Sequence, residues 1–270
     1  MSVWFVIPSK RPLAEANACF EAWRARGYNI AIVRERADGN TVADRQYDTR
    51  QYLGWARSVN MLVANVMAFD AAAEWFVTGG DDYYPDPTKT ADEIAAECGE
   101  YFHTLETLKG RRSTPTFGVM QPTGDRWGEA ACKPCRGSGR IPSFEARTIC
   151  EACGGTGRQA TIDRIAGSPW MGREFCQRMY HGSGPMYNGY YHNFADEELQ
   201  NVAQKLGVFW QRRDLLQEHR HWARPRGDWR DAPEWAKKIN DPRLSDWDRS
   251  KALFAARKAA GFPGHEPLEA

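Results

Sequence analysis

No apolar run in these 270 residues approaches the roughly 18 to 20 needed to cross a bilayer, so no membrane span and no membrane partner are expected. Charge of one sign does not prevail either. The 36 Lys and Arg against 35 Asp and Glu leave +1, which argues against a uniformly basic nucleic-acid wrapper or a polybasic membrane-surface protein and leaves only local patches. The N-terminal MSVWFVIPSKRP lacks the charged start and the small-residue cleavage site of a signal peptide, so a cytoplasmic protein is expected. Seven cysteines, an odd count with four in two close pairs, fit a metal site in a reducing compartment better than a disulfide framework. A glycine-rich, lysine-bearing phosphate loop is also missing after the first apolar run, where only the short IPSKRP stands. The chain is nonetheless long enough to bury a substantial core, and its 11 tryptophans are candidate stacking surfaces for sugars or bases.

The first third alternates as an α/β fold does. Residues 3–8 (VWFVIP) and 28–33 (YNIAIV) read as buried parallel strands. Between them, residues 13–26 place Ala16, Cys19, Phe20 and Trp23 on one helical face, completing a βαβ unit. Residues 54–69 suit a buried helix, 74–78 a strand, 89–108 a helix and 116–120 a further strand of a continuing parallel sheet. From 132 to 157 the texture changes to glycine, cysteine and basic residues, as in an inserted module. The sheet domain resumes from Ile162, with a helix over 196–206 and a strand over 208–212. A tail from Arg224, rich in Trp, Asp, Arg and Pro, reads as a wrapping segment. The expected parts are a first half at 1–125, an insertion at 126–160, a second half at 161–223 and the wrapping segment at 224–270.

The insertion repeats one pattern, C-x-x-C-x-G-x-G, beginning at Cys132 and again 18 residues later at Cys150. Thiolates on such a turn converge on one metal, so Cys132, Cys135, Cys150 and Cys153 together offer the four soft ligands of a structural Zn²⁺. The glycines permit the tight turn that aims amide hydrogens at sulfur. These segments resemble the cysteine-rich repeats of the DnaJ chaperone zinc domain, with two repeats in place of four and no J domain. The resemblance implies a zinc hairpin, not a chaperone. With Lys133, Arg136, Arg140, Arg147 and Arg158 nearby, the module suits either contact with a polyanion or a simple stapling role.

Asp81 and Asp82 follow the strand at 74–78, at the carboxyl edge where open α/β sheets place ligand chemistry. Adjacent carboxylates there suit a hard divalent cation that also carries nucleotide phosphates, or simply a solvated turn. Taken with VWFVIPSKRP, YNIAIVRER, GWARSVNMLV and WFVTGGDDYYPDP, the turn resembles the nucleotide-sugar half of a GT-A glycosyltransferase, of the small viral or phage-like kind as much as the bacterial. That family holds Mn²⁺ or Mg²⁺ on an Asp-x-Asp motif against the diphosphate of a nucleotide-sugar. Gly80 stands where the family has its first Asp, and Asp82 matches the direct metal ligand.

The resemblance extends further and implies an enzyme, an inverting glycosyltransferase using a UDP-sugar. FADEEL places Asp196 at the catalytic base, with Glu197 as runner-up, and EHRH offers His219 or His221 to the metal. Pro8, Ser9, Arg11 and Arg34, with Asp81, fall near the nucleotide, and Arg57 and Asn60 on the helix that backs the diphosphate. Asp196 also suits a helix N-cap. Trp170, Tyr187, Tyr190, Tyr191 and His192, broken by glycines, suit either an acceptor-side stacking loop or core. The basic zinc module suggests a nucleic-acid acceptor such as a 5-hydroxymethylpyrimidine in phage DNA. The rivals are a nucleotidyltransferase, which shares the sheet and the carboxylate pair, and a noncatalytic nucleic-acid-binding zinc protein, against which the near-neutral charge counts.

Overall fold

The computed structural model describes residues 1–35, 39–109, 115–123, 129–132, 134–136, 138–142, 147–150, 157–160, 167–220 and 246–268. The chain runs β1 (Ser2–Ser9), α1 (Leu13–Arg24), β2 (Asn29–Glu35), β3 (Arg45–Thr49), α2 (Trp55–Phe69), β4 (Ala73–Val77), β5 (Tyr83–Tyr84), α3 (Ala91–Leu108) and β6 (Val119–Thr123). Four three-residue strands follow, β7 (Glu129–Ala131), β8 (Arg140–Pro142), β9 (Arg147–Ile149) and β10 (Arg158–Ala160). Then come β11 (Trp170–Gly172), α4 (Arg173–Arg178), α5 (Ala195–Lys205), β12 (Phe209–Leu216), β13 (Glu218–His219) and α6 (Trp247–Ala259). No described helix is long and apolar enough to cross a membrane.

Seven strands form the central sheet in the order β12-β6-β11-β4-β1-β2-β3. β1 pairs in parallel with β2 and β4, β2 with β3, and β6 with β12. The expected continuation of the parallel sheet needs one correction: β11 enters antiparallel between β4 and β6. Consecutive residues of β1, from Val3 to Ile7, are buried, which requires cover on both faces because strand side chains alternate. The rings confirm it. Phe5 stacks at 4.0 Å on Trp23 of α1, while its neighbour Trp4 meets Phe69 of α2 edge-on at 5.5 Å. Trp75 of β4, in register with Val3 and hence on the Phe5 face, stacks on Phe102 of α3. The architecture is the expected α/β one, a Rossmann-type, mostly parallel sheet with helices on both faces.

Two features depart from the simple apolar-run reading. β3 (RQYDT) is a polar edge strand with no apolar run to announce it, and β6 begins three residues later than 116. Just before β6 a Cβ at Gly118 would lie 2.3 Å from the Phe102 ring, so the chain passes α3 there on glycine. Between β6 and β11, β7 pairs antiparallel with β10 and β8 with β9, two small ladders apart from the main sheet.

The tail contains a helix whose anchor is ionic. Arg257 of α6 donates from Nε and Nη2 to the Glu198 carboxylate of α5 at 2.8 and 2.6 Å, and Glu198 is fully buried. Tyr180 and Tyr190 hydroxyls donate to the same carboxylate, and the Arg257 guanidinium lies 3.4 Å over the Tyr187 ring. Removing one partner of a buried, hydrogen-bonded pair leaves a charge with no solvent. Arg257→Met is therefore expected to lower unfolding stability by about 3 kcal/mol or more, whereas Lys10→Met, which breaks the exposed pair with Glu35, should cost under about 1 kcal/mol. Denaturant titration of both variants checks the contrast, and equal losses would mean that Arg257 is not an anchor.

Candidate active site

β1 and β4 end at a cavity of about 690 Å³. The end of β1 supplies Pro8, Ser9 and Arg11, and the turn after β4 supplies Gly79 to Tyr83. Facing them are Trp55 and Ser58 from the first turn of α2, the segment from Tyr191 to Phe194, Asp196 and Glu197 from the first turn of α5, and His219 from β13. Asp246 and Trp247 at the start of α6 complete the wall. Of the groups singled out in the sequence, Pro8, Ser9, Arg11, Asp81, Asp82, Asp196, Glu197 and His219 thus share one cavity.

The two carboxylates have divided surroundings. Ser9 Oγ donates to Asp81 Oδ2 at 2.8 Å and Arg11 Nε to Asp81 Oδ1 at 2.8 Å, so both oxygens of Asp81 are engaged. Arg11 Nη2 donates to Asp82 Oδ2 at 3.1 Å, while Asp82 Oδ1 lies 3.4 Å from His219 Nε2. Burial, with Asp82 beside it, raises the Asp81 pKa against the pull of Arg11. Burial also works against the Arg11 charge, but Asp81 and Asp82 outweigh it and raise the pKa. Beneath them, buried Arg34 donates to the Arg11 carbonyl at 3.1 Å and reaches Ser9 Oγ at 3.5 Å. Arg34 therefore supports the pair from below.

His219 reaches the carboxylates by backbone pairing. β13 runs antiparallel to β5 with His219 opposite Tyr83, the Arg220 amide donates to the Asp82 carbonyl at 2.8 Å, and the Tyr83 and His219 rings stack at 4.0 Å. Gly80 is part of the same arrangement, since a Cβ there would stand 2.5 Å from Asp82 Oδ1. A side chain at 80 would require Asp82 to turn its carboxylate from the present orientation.

Asp196 sits inside the first turn of α5, whose N-cap is Phe194 in the left-handed region at φ 73°. Its Oδ1 accepts from the Glu197 amide at 3.0 Å, so it is not the helix cap that its sequence context also suited. Glu197 is held above its ordinary pKa by burial, with Lys258 opposing. Arg57 and Asn60 point elsewhere. Arg57 Nε donates to the Asn188 carbonyl at 3.0 Å, and Asn60 exchanges hydrogen bonds with the Met186 backbone and donates to Asn188 Oδ1, so both fasten the 186–188 loop to α2. Trp170 and Tyr190 are fully buried core, whereas Tyr191 is exposed and lines the cavity with His192. His221 and Cys153 fall outside the described residues.

In the insertion, Cys132, Cys135 and Cys150 are buried and their sulfurs lie within 4.8 Å of one another, close enough to hold a metal ion together. The Gly139 amide donates to Cys135 Sγ at 3.3 Å. Gly139 and Gly157 adopt positive φ, 72° and 74°, and their carbonyls accept from the Cys150 and Cys132 amides at 2.9 Å.

No protein-family model and no curated protein matches the chain. Among solved structures, the catalytic domain of Drosophila β1,4-galactosyltransferase 7 in complex with xylobiose is similar at 11% identity and a TM-score of 0.42, over 89% of this chain and 79% of that one. A glycosyltransferase involved in glycosylation of the PBCV-1 major capsid gives 10% and 0.29, over 90% and 78%. The 4-diphosphocytidyl-2C-methyl-D-erythritol synthase of Anaerococcus prevotii gives 9% and 0.28, over 65% and 71%. Likeness of this degree assigns neither an activity nor a site residue to this chain.

One wall residue makes the cavity sensitive to acid. Burial lowers the His192 pKa to about 4, with Asp246 opposing, and its Nδ1 lies 2.9 Å from the Tyr52 hydroxyl. The folded chain thus refuses a proton that the unfolded chain accepts near pH 6.5, so this contribution to stability is complete above pH 6.5 and is lost as pH falls toward 4. Wild type is expected to lose up to about 3 kcal/mol more than His192→Gln between pH 7 and pH 4. Parallel stability profiles for the two proteins would refute the assignment.

Proposed function

We propose that the chain is a cation-dependent glycosyltransferase that moves a sugar from a nucleotide-sugar, a UDP-sugar by the family resemblance, to an acceptor hydroxyl with inversion. The observation that carries this reading is the 3.4 Å approach of Asp82 Oδ1 to His219 Nε2 in the cavity that also holds Asp196. Neighbouring donors in an octahedral shell of 2.0 to 2.2 Å bonds lie about 3 Å apart, so an oxygen and an imidazole nitrogen at this separation fit one Mn²⁺ or Mg²⁺. The lining charges point the same way. Lys10 and Arg11 face Glu35, Asp81, Asp82, Asp196, Glu197 and Asp246, so an anionic diphosphate needs added positive charge to enter.

In the proposed mechanism Asp82 and His219 hold the cation, and Asp81 holds Arg11 rather than the cation. A divalent ion held there would offset the charge that grows on the departing diphosphate. Asp196 takes the proton from the acceptor hydroxyl as its oxygen forms the new bond to the sugar carbon and the bond from that carbon to the diphosphate oxygen breaks. Glu197, next along the turn, is the alternative base. The acidic wall favours a neutral acceptor over a polyanion. In the transfer assay, duplex DNA carrying 5-hydroxymethylpyrimidines is therefore offered beside small glycan acceptors. The proposed organisation keeps the nucleotide-sugar half at 1–125, the insertion at 126–160 with a structural Zn²⁺ on Cys132, Cys135, Cys150 and Cys153, the acceptor half at 161–223 and the closing segment at 224–270.

Five substitutions separate these roles. Asp82→Ala should abolish Mn²⁺-dependent binding of nucleotide-sugars in a protein that still folds; calorimetry with unchanged binding would refute the cation site. Asp196→Asn should leave donor affinity nearly intact and lower transfer 10²- to 10⁴-fold, about 3 to 5 kcal/mol of barrier. Wild-type transfer in Asp196→Asn together with loss in Glu197→Gln would move the base to Glu197. For the insertion, metal analysis should find about one zinc per chain in wild type and in Cys98→Ser, but none in Cys132→Ser. Equal zinc in both variants would sink that ligand set.

A further inference from the structure

Two residues of the cavity lining each carry a buried polar side-chain atom with no hydrogen-bond partner among the described residues. Ser58 is fully buried and its Oγ is unsatisfied, and the side-chain nitrogen of Asn193 is likewise buried and unsatisfied. Both residues line the cavity. A serine inside a helix commonly returns its hydroxyl to the carbonyl four residues back, but here the Gly54 carbonyl accepts the Ser58 amide and the hydroxyl bonds to nothing. Buried polar groups in native proteins are normally satisfied, so unsatisfied ones on residues of a ligand-sized cavity are candidate partners for a ligand.

The two groups belong to segments tied to the proposed chemistry on either side. Trp55, in the same helical turn as Ser58, donates from its indole to the Gly79 carbonyl at 3.0 Å, beside the carboxylate pair. Asn193 precedes Asp196 by three residues. Tyr191, exposed at 46%, joins them through its carbonyl, which accepts the Trp55 amide at 2.6 Å. This approach depends on Gly54, at φ 94°, where a Cβ would stand 2.6 Å from the Tyr191 carbonyl oxygen. A serine hydroxyl both donates and accepts, an amide nitrogen donates, and an aromatic face takes C–H groups. A neutral ring bearing neighbouring hydroxyls answers all three. A second phosphate would meet a wall already rich in carboxylates.

We propose that Ser58 and Asn193 read the hydroxyls of the transferred sugar. The assignment rests on the cavity taking a nucleotide-sugar, and calorimetry with Mn²⁺ separates the two claims. The titrants are UDP, GDP, CDP and TDP, each alone and as its glucose and galactose conjugates. Wild type is expected to bind one diphosphate and to bind a sugar conjugate of it more tightly. In Ser58→Ala and in Asn193→Ala that advantage should shrink at least about fivefold with affinity for the bare diphosphate unchanged. Ser58→Ala should also melt no lower than wild type, because it removes an unsatisfied hydroxyl, whereas a hydroxyl with a purely structural role would lower the melting temperature. Retention of the full sugar advantage in both variants overturns the pair and leaves the donor reading standing. A wild-type protein that binds no nucleoside diphosphate overturns the donor reading, and the pair falls with it.

Discussion

Two adjacent carboxylates at the end of a buried strand repel one another and lose water, and they remain ionised only where fixed partners meet them. Asp81 and Asp82 impose that requirement on everything around them. The Arg11 guanidinium spans both, Ser9 caps the remaining oxygen of Asp81, and Arg34 holds the Arg11 carbonyl from beneath. The order of strands makes this possible. Because β1 lies between β4 and β2, the residues after β1 and the residues after β4 emerge side by side, and Arg34 of β2 stands in register with Ser9. The sheet topology and the electrostatics of the site are one arrangement seen at two scales.

That arrangement also sorts two residues of the same type into different tasks. Asp81 spends both oxygens on protein donors, which makes it an anchor for Arg11. Asp82 has one oxygen toward Arg11 and the other toward His219, and its backbone carbonyl is held by the Arg220 amide. A histidine delivered by a two-residue β ladder is fixed in position by backbone bonds and ring stacking on Tyr83 rather than by its own side-chain rotamer. Rigid delivery of that kind suits a group meant to meet an ion at a set distance.

Legibility in the sequence followed the physics of each element. β1, α1, β2, α2, β4 and α3 appear as apolar runs or faces because each is buried against the sheet, and periodicity reports burial. β3 is polar and at the edge, so nothing marks it. β11 has three residues, too few to carry a pattern or reveal its antiparallel direction. The tail helix α6 was hidden for another reason: besides the contacts of Trp247 and Phe254 with Phe194 it is held by the Arg257–Glu198 pair, and one charged residue in a charged helix has no signature of burial. At the site, the strand-end carboxylates stood out because adjacent acids after an apolar run are chemically odd. Arg57 and Asn60 stood out equally but serve the 186–188 loop, since a polar residue on a helix looks the same whether it faces a ligand or a neighbouring backbone. Ser58, between them, carried no signal at all. Its interest lies in a partner it lacks, and that is visible only once the burial of its oxygen is known.

The choice of an ion pair to seat α6 bears on the cavity as well. Apolar contact between α5 and α6 would bury the same area and tolerate sliding, whereas Arg257 finds Glu198 in one register only, and a shift of a turn would strand a carboxylate with no access to solvent. The same helix presents Trp247 and Asp246 to the cavity at its other end, with the Trp247 ring 4.9 Å from Phe194, the residue that opens α5. Glu198 and Asp196 lie two residues apart in the first turn of α5 and point to opposite duties, one inward to Arg257 and one into the cavity. A single short turn therefore sets both the position of the proposed base and the position of the wall that faces it, so the two cannot drift apart without breaking the buried pair.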